Sequence, residues 1–252
     1  MQLEILGCSA SRFPGQHPTA FLVDARLLVD AGTIGGALDD RRQSLIEAVL
    51  ITHPHLDHVK ELASLADNLF TMGQEKGVTV YGLAPVLEMV KKHIFNNIIW
   101  PDFSCLPTPD APIIRWSPLK SERSYSICGY TVTPYSVNHS VAAAGYRIAS
   151  GGSSFLFTGD TGPTDVIWKA ATALSALIVE VSFPNSLEEL AVKSQHLTPA
   201  MLARELKKLP ETPPLILVSH VKSRHYDQIA RELAEITLTR LEIMKDGNVY
   251  SF

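Results

Sequence analysis

Short apolar runs alternate along the chain with segments whose apolar residues recur every three to four positions. Residues 1–6 read as a strand, and "TAFLVDARLLVDAG" reads as two strands hinged at Asp24–Ala25. "EAVLITH" reads as a buried strand. The spacing in "VKELASLADNLFTM" predicts a helix, "GVTVYG" predicts a strand and "LAPVLEMVKKHIF" a further helix. An irregular stretch follows, then strands at 130–135, 144–149 and 153–157.

The second half restarts the alternation. "TDVIWKAAT" predicts a short helix capped by Thr164, and "SALIVEVSF" predicts a strand. "LTPAMLARELKKL" carries Thr198 as N-cap and Pro199 at the first helical position. "PPLILVSH" predicts a strand and "YDQIARELAEI" a helix. "LEIMKDGNVYSF" predicts a terminal hairpin around Asp246–Gly247. Two β-rich halves, each ending in helices, predict an α/β chain of two face-to-face sheets with helices outside. No low-complexity linker divides the sequence, so one domain over residues 1–252 is expected.

Polar chemistry gathers where apolar runs end. "ITHPHLDHVKEL" places His53, His55, Asp57 and His58 directly after a buried strand. Imidazole nitrogen and carboxylate oxygen are ligands for zinc, iron, manganese or nickel. His139, Asp160 and His220 each follow another predicted strand, and strand ends in layered α/β folds are where sites form. Seven candidate ligands exceed the needs of one zinc ion and fit two.

Composition narrows the function. The 252 residues are 46% hydrophobic and 19% charged, with net charge −4. Such a chain lacks the bulk basic surface that grips long nucleic acid. Three scattered cysteines, Cys8, Cys105 and Cys128, read as reduced thiols. There is no apolar run of the ~20 residues that spans a bilayer, and no signal-peptide pattern at residue 1. A cytoplasmic location and no membrane partner are the expectations.

The order HxHxDH, His, Gly-Asp, His resembles the metallo-β-lactamase superfamily over nearly the whole chain. Within it, "HLDHVKEL", "IFNNIIWPDF", "EVSFPN" and "HLTP" are similar to segments of the class II cyclic-nucleotide phosphodiesterases. The tRNA 3′-processing phosphodiesterases are a more distant resemblance. Diiron oxygen reductases of the superfamily differ, since they carry Glu where His55 stands.

The resemblance implies an αββα four-layer sandwich of two mixed sheets with two divalent metal ions, zinc first, with manganese, iron or magnesium as alternatives. One ion falls to His53, His55, His139 and Asp160. The other falls to Asp57, His58, His220 and the bridging Asp160. It also implies hydrolysis of 3′,5′-cyclic nucleotides, cyclic AMP or cyclic GMP, by a metal-bridging hydroxide that Asp57 helps orient. His196 would serve the leaving oxygen, and Glu180 would orient His196. The alternatives are a tRNA-processing nuclease, a thiolester hydrolase or a non-catalytic cyclic-nucleotide binder. Asn96, Asn97, Trp100 and Phe103 read equally as a packed loop or as a base contact. His17, His93 and His225 have no ligand role. The partner is a small cyclic nucleotide, with a homodimer possible.

Overall fold

A computed structural model describes residues 1–74, 76–237 and 240–252. Two seven-stranded sheets form its middle. The first runs in the order Val249–Ser251, Gln2–Gly7, Ala20–Val23, Leu27–Val29, Ala48–Leu50, Val78–Leu83 and Ile114–Leu119. The second runs Arg240–Ile243, Leu215–Ser219, Ala176–Glu180, Ser153–Phe157, Ala144–Ser150, Tyr130–Ser136 and Tyr125–Ile127. Both are mixed. In the first, the pairings from Leu27–Val29 to Ile114–Leu119 are parallel and the others antiparallel. In the second, the pairings from Ser153–Phe157 to Arg240–Ile243 are parallel.

The two-residue period of a strand sends successive side chains to opposite faces. Ala48 and Leu50 therefore enter the core between the sheets, with Phe21, Tyr146, Phe157, Ile178 and Leu217. Val49 and Ile51 face outward, beneath Leu62, Leu65 and Leu69 of the helix Leu62–Thr71 and Val86 and Val90 of Ala84–His93. On the far side, Leu177, Val179 and Val218 pack under the helices Glu188–Ser194, Pro199–Leu206 and Tyr226–Leu233. The order of layers is helix, sheet, sheet, helix, as expected.

Four local expectations change. The segment 164–172 holds only a 3₁₀ turn, Ile167–Ala170, with no side-chain cap. The backbone N–H of Thr164 instead donates to buried Glu205, which also accepts from Trp168 Nε1 at 2.7 Å. The helix expected over 59–72 begins at Leu62, behind a separate turn, Leu56–Val59. The helix Glu188–Ser194 and the strands Ile114–Leu119 and Tyr125–Ile127 lie where no element was predicted.

The terminal hairpin is also absent. Arg240–Ile243 joins the second sheet and Val249–Ser251 the first. Between them, Asp246 crosses from sheet to sheet. Its carboxylate accepts from the backbone N–H of Cys8 (3.1 Å) and of His17 (2.8 Å), and lies 2.9 Å from His17 Nδ1. Asp246→Ala strands these donors and should cost about 1–3 kcal/mol of unfolding free energy. Urea denaturation checks this, and a loss below about 0.5 kcal/mol, the usual scale of surface changes, would show that Asp246 does not join the sheets.

Candidate metal centre

The C-terminal ends of several strands meet at one edge of the two sheets. Ala48–Leu50 leads into His53 through Asp57 and His58, and Tyr130–Ser136 leads to His139. Ser153–Phe157 leads to Asp160, and Leu215–Ser219 to His220. The sheets are joined here by the N–H of Ala144 donating to Thr52 O (3.0 Å), the Tyr146 hydroxyl to Ile51 O (2.7 Å) and the N–H of His220 to Cys8 O (2.7 Å). Gly159 turns the chain into Asp160 at φ +62°, and a side chain there would press on Ala144 O and Thr52 Cβ.

All seven expected ligands converge. His55 Nδ1 lies 3.1 Å from His53 Nε2 and 3.3 Å from His139 Nε2. Asp160 Oδ2 lies 3.7 Å from His53 Nε2. In the second cluster, His220 Nε2 lies 3.3 Å from Asp57 Oδ2 and 3.2 Å from Asp160 Oδ2, and His58 Nε2 lies 3.5 Å from Asp160 Oδ1. Ligand atoms around a tetrahedral ion with bonds of ~2.0–2.1 Å stand about 3.3 Å apart. The spacing suits two adjacent ions with Asp160 between them.

The outer hydrogen bonds fix which nitrogens face inward. The Gln195 carbonyl can only accept, so His139 donates to it from Nδ1 (3.1 Å) and keeps a lone pair on Nε2. Thr52 gives its one hydroxyl proton to Asp30 (2.8 Å) and accepts from His53 Nδ1 (3.0 Å). Ser182 gives its proton to Glu180 (2.9 Å) and accepts from His220 Nδ1 (2.8 Å). His58 Nδ1 donates to Asp30 Oδ2 at 2.7 Å, and among the described residues the buried His58 Nε2 has no hydrogen-bond partner. The inward lone pairs of His53, His139 and His220 converge with the carboxylates of Asp57 and Asp160, and a cation between such groups relieves their mutual repulsion. These residues therefore fit the two ions, and Asp30, Thr52 and Ser182 orient the ligands.

Charge follows the same logic. Burial pushes His53, His55 and His139 below the ordinary imidazole range. Burial opposes ionisation of Asp160, yet His220, His58 and His53 outweigh it and hold the carboxyl well below its usual range. Burial likewise opposes a charge on His58, but Asp160 and Asp30 outweigh it and hold His58 well above its usual range. A metal ion at Nε2 must displace that proton.

Beside this centre, His196 Nδ1 lies 2.7 Å from Glu180 Oε1. Its ring sits 5.2 Å from that of His139 and stacks on His220 at 5.4 Å. The 93–104 segment is built differently from its base-contact reading. Phe103 is 2% exposed and packs edge-on against Phe70. Trp100 packs against the same core. Asn96 Oδ1 accepts from the N–H groups of Ile98 and Ile99, and Asn97 Oδ1 from that of Asp102. Core packing and loop-closing hydrogen bonds thus engage all four side chains. Sequence reasoning missed Asp30, Thr52 and Ser182. Only the polar "VDAG" end of an apolar strand hinted at Asp30.

Residues 25–221 match the family described as the Beta-lactamase superfamily domain. The chain belongs to this superfamily. Its relatives include a protein of Yersinia pestis named probable 3′,5′-cyclic-nucleotide phosphodiesterase, 28% identical over 237 residues. Another, from Schizosaccharomyces pombe, is named 3′,5′-cyclic-nucleotide phosphodiesterase and is 29% identical over 241 residues. Each alignment covers 82% of this chain and 65% of the relative, so the chain spans about two-thirds of their length. The crystal structure of unliganded yeast PDE1 superposes with a TM-score of 0.83 at 18% identity, covering 98% of both chains. The superfamily fold implies divalent metals, and the His/Asp clusters are suited to them.

Elemental analysis of reconstituted protein should find two divalent ions per chain. Asp160→Ala should weaken both together. If Asp160→Ala keeps one ion at wild-type affinity, Asp160 does not bridge.

Proposed function

We propose that the protein is a dinuclear metal-dependent phosphodiesterase that hydrolyses 3′,5′-cyclic nucleotides, cyclic AMP or cyclic GMP, to nucleoside 5′-monophosphates. The observation that carries this reading is the Glu180–His196 pair, 2.7 Å apart and stacked beside the ligand cluster. A ribose 3′ oxygen leaves as a strongly basic alkoxide and needs a proton. An imidazole next to, but outside, the seven ligands is placed to supply it. The names of the Yersinia and Schizosaccharomyces relatives support the same substrate class.

Two divalent ions, zinc foremost, would be held by His53, His55 and His139 on one side and Asp57, His58 and His220 on the other, sharing Asp160. When bound, they supply activated water at neutral pH and polarise a phosphoryl oxygen. The protein's own groups do the rest. Asp57, half-buried at the mouth of the site, accepts a hydrogen bond from the attacking water. His196 donates its Nε2 proton to the departing 3′ oxygen while Nδ1 stays on Glu180. Ser182 links Glu180 to His220, so the proton donor and a ligand share one hydrogen-bond chain.

Burial disfavours a protonated His196, but the charge and hydrogen bond of Glu180 outweigh it and hold its pKa above the ordinary range. A general acid must be protonated to act, so turnover should fall as pH rises through that raised pKa. Glu180→Gln removes the charge and lowers the pKa, and the alkaline limb of kcat should move to lower pH. Metal-loaded protein should be offered cyclic nucleotides, a thiolester and a precursor tRNA, with products identified by chromatography. The reading predicts 5′-monophosphate from the first and an earlier alkaline limb in Glu180→Gln. Turnover of only the thiolester or tRNA, or an unmoved limb, would contradict it.

A further inference from the structure

A cavity of about 650 Å³ opens beside the metal centre, within the ~300–1,000 Å³ range of small-molecule sites. Pro54, Leu56, Met89, Ile94, Ile99 and Val141 form most of its wall. Pro54 and Leu56 alternate along the backbone with His53, His55 and Asp57, and Val141 stands two residues past His139. One wall of the cavity and the ligand loops are therefore the same backbone. The opposite wall comes from the helix Ala84–His93 and the loop after it.

The chemistry of the cavity contrasts with that of its neighbour. His93 is the one polar side chain among its lining residues. Leu56 is 67% exposed and Ile99 65% exposed. Large apolar side chains that share one concave surface mark a binding site more than a solvated face. Asn96 shapes this wall by holding the N–H groups of Ile98 and Ile99.

We propose, resting on the cyclic-nucleotide reading above, that this cavity receives the base and that Ile99 and Met89 determine base preference. Because this wall shares its backbone with the ligand loops, a phosphodiester held at the metal centre would carry its nucleobase toward this surface. The flat faces of a base gain from contact with apolar side chains, whereas its hydrogen-bonding edges find few partners there and stay toward water. Apolar pockets discriminate by size, over about 10–200-fold, and reject a polar substituent weakly. Purines, with the larger face, bind better than pyrimidines. Adenine and guanine, which differ at their edges, are treated alike to within about tenfold.

The test compares metal-loaded wild type with the double variant Ile99→Ser/Met89→Ser. Both side chains are solvent-exposed, so the fold should persist, and thermal melting checks this. Substrates are cyclic AMP, cyclic GMP, cyclic UMP and methyl riboside 3′,5′-cyclic phosphate, which has no base. Wild type should favour cyclic AMP over the base-less compound by at least about tenfold in kcat/KM, the scale of apolar area buried in such a pocket. The double variant should lose most of that preference while its rate on the base-less compound stays the same. Calorimetric titration with adenosine 5′-monophosphate and ribose 5-phosphate should show the same loss without turnover.

A base preference that survives the double variant overturns the assignment, as does an equal loss on all substrates. So does a change confined to oligomeric state in sedimentation, which would mean that a second copy of the chain covers this face. Failure of wild type to hydrolyse any cyclic phosphate overturns the cyclic-nucleotide reading and this proposal with it.

Discussion

Asp160 is 2% exposed, and an ionised carboxylate in such a place costs several kcal/mol unless it is compensated. Compensation has to come from more than one strand. His53 and His58 reach Asp160 from the loop after Ala48–Leu50 in the first sheet, and His220 reaches it from the end of Leu215–Ser219 in the second. The carboxylate thus requires the two sheets to meet at one edge. The inter-sheet hydrogen bonds from Ala144 to Thr52 and from Tyr146 to Ile51 lie at that edge. Gly159 allows the backbone to come close enough.

The imidazoles around Asp160 are held from outside by hydrogen bonds to buried polar groups. Asp30 is fully buried and takes hydrogen bonds from Thr52 and His58. Ser182 spends its single proton on Glu180, which forces His220 to donate from Nδ1 and to face inward with Nε2. Ligand direction is therefore set before any ion arrives, and the same serine ties His220 to the Glu180–His196 pair. The candidate metal centre and the proposed proton donor thus share one hydrogen-bond network. The apolar cavity beyond Leu56 adds a surface of opposite character next to it, which suits a substrate that joins a charged phosphodiester to a flat base.

Much of this was legible because strand periodicity and ligand chemistry coincide. His139, Asp160 and His220 each follow an apolar run, and the HxHxDH spacing has few other uses. Asp30 and Ser182 were not legible, because Asp and Ser at strand ends also serve as ordinary caps and turns. Phe103 and Trp100 were ambiguous for a related reason: an aromatic residue in a loop reads the same whether it packs inward or faces a ligand. The Asp246–Gly247 pair signals a tight turn, yet the flanking strands enter different sheets, and tertiary pairing overrides the local signal. Ile99 lies within the IFNNIIWPDF segment, but only its neighbours in space, Leu56, Met89 and Val141, make it part of a surface.

The dependence of rate on leaving-group basicity tests the role of His196 most directly. A series of phosphodiesters with leaving groups from nitrophenol to a ribose alcohol should give a shallow slope with metal-loaded wild type, because His196 protonates the basic leaving groups. His196→Ala with unchanged metal content should steepen the slope, losing about 10²–10⁴-fold on the ribose ester and little on the nitrophenyl ester. Parallel slopes for the two proteins would contradict proton donation by His196.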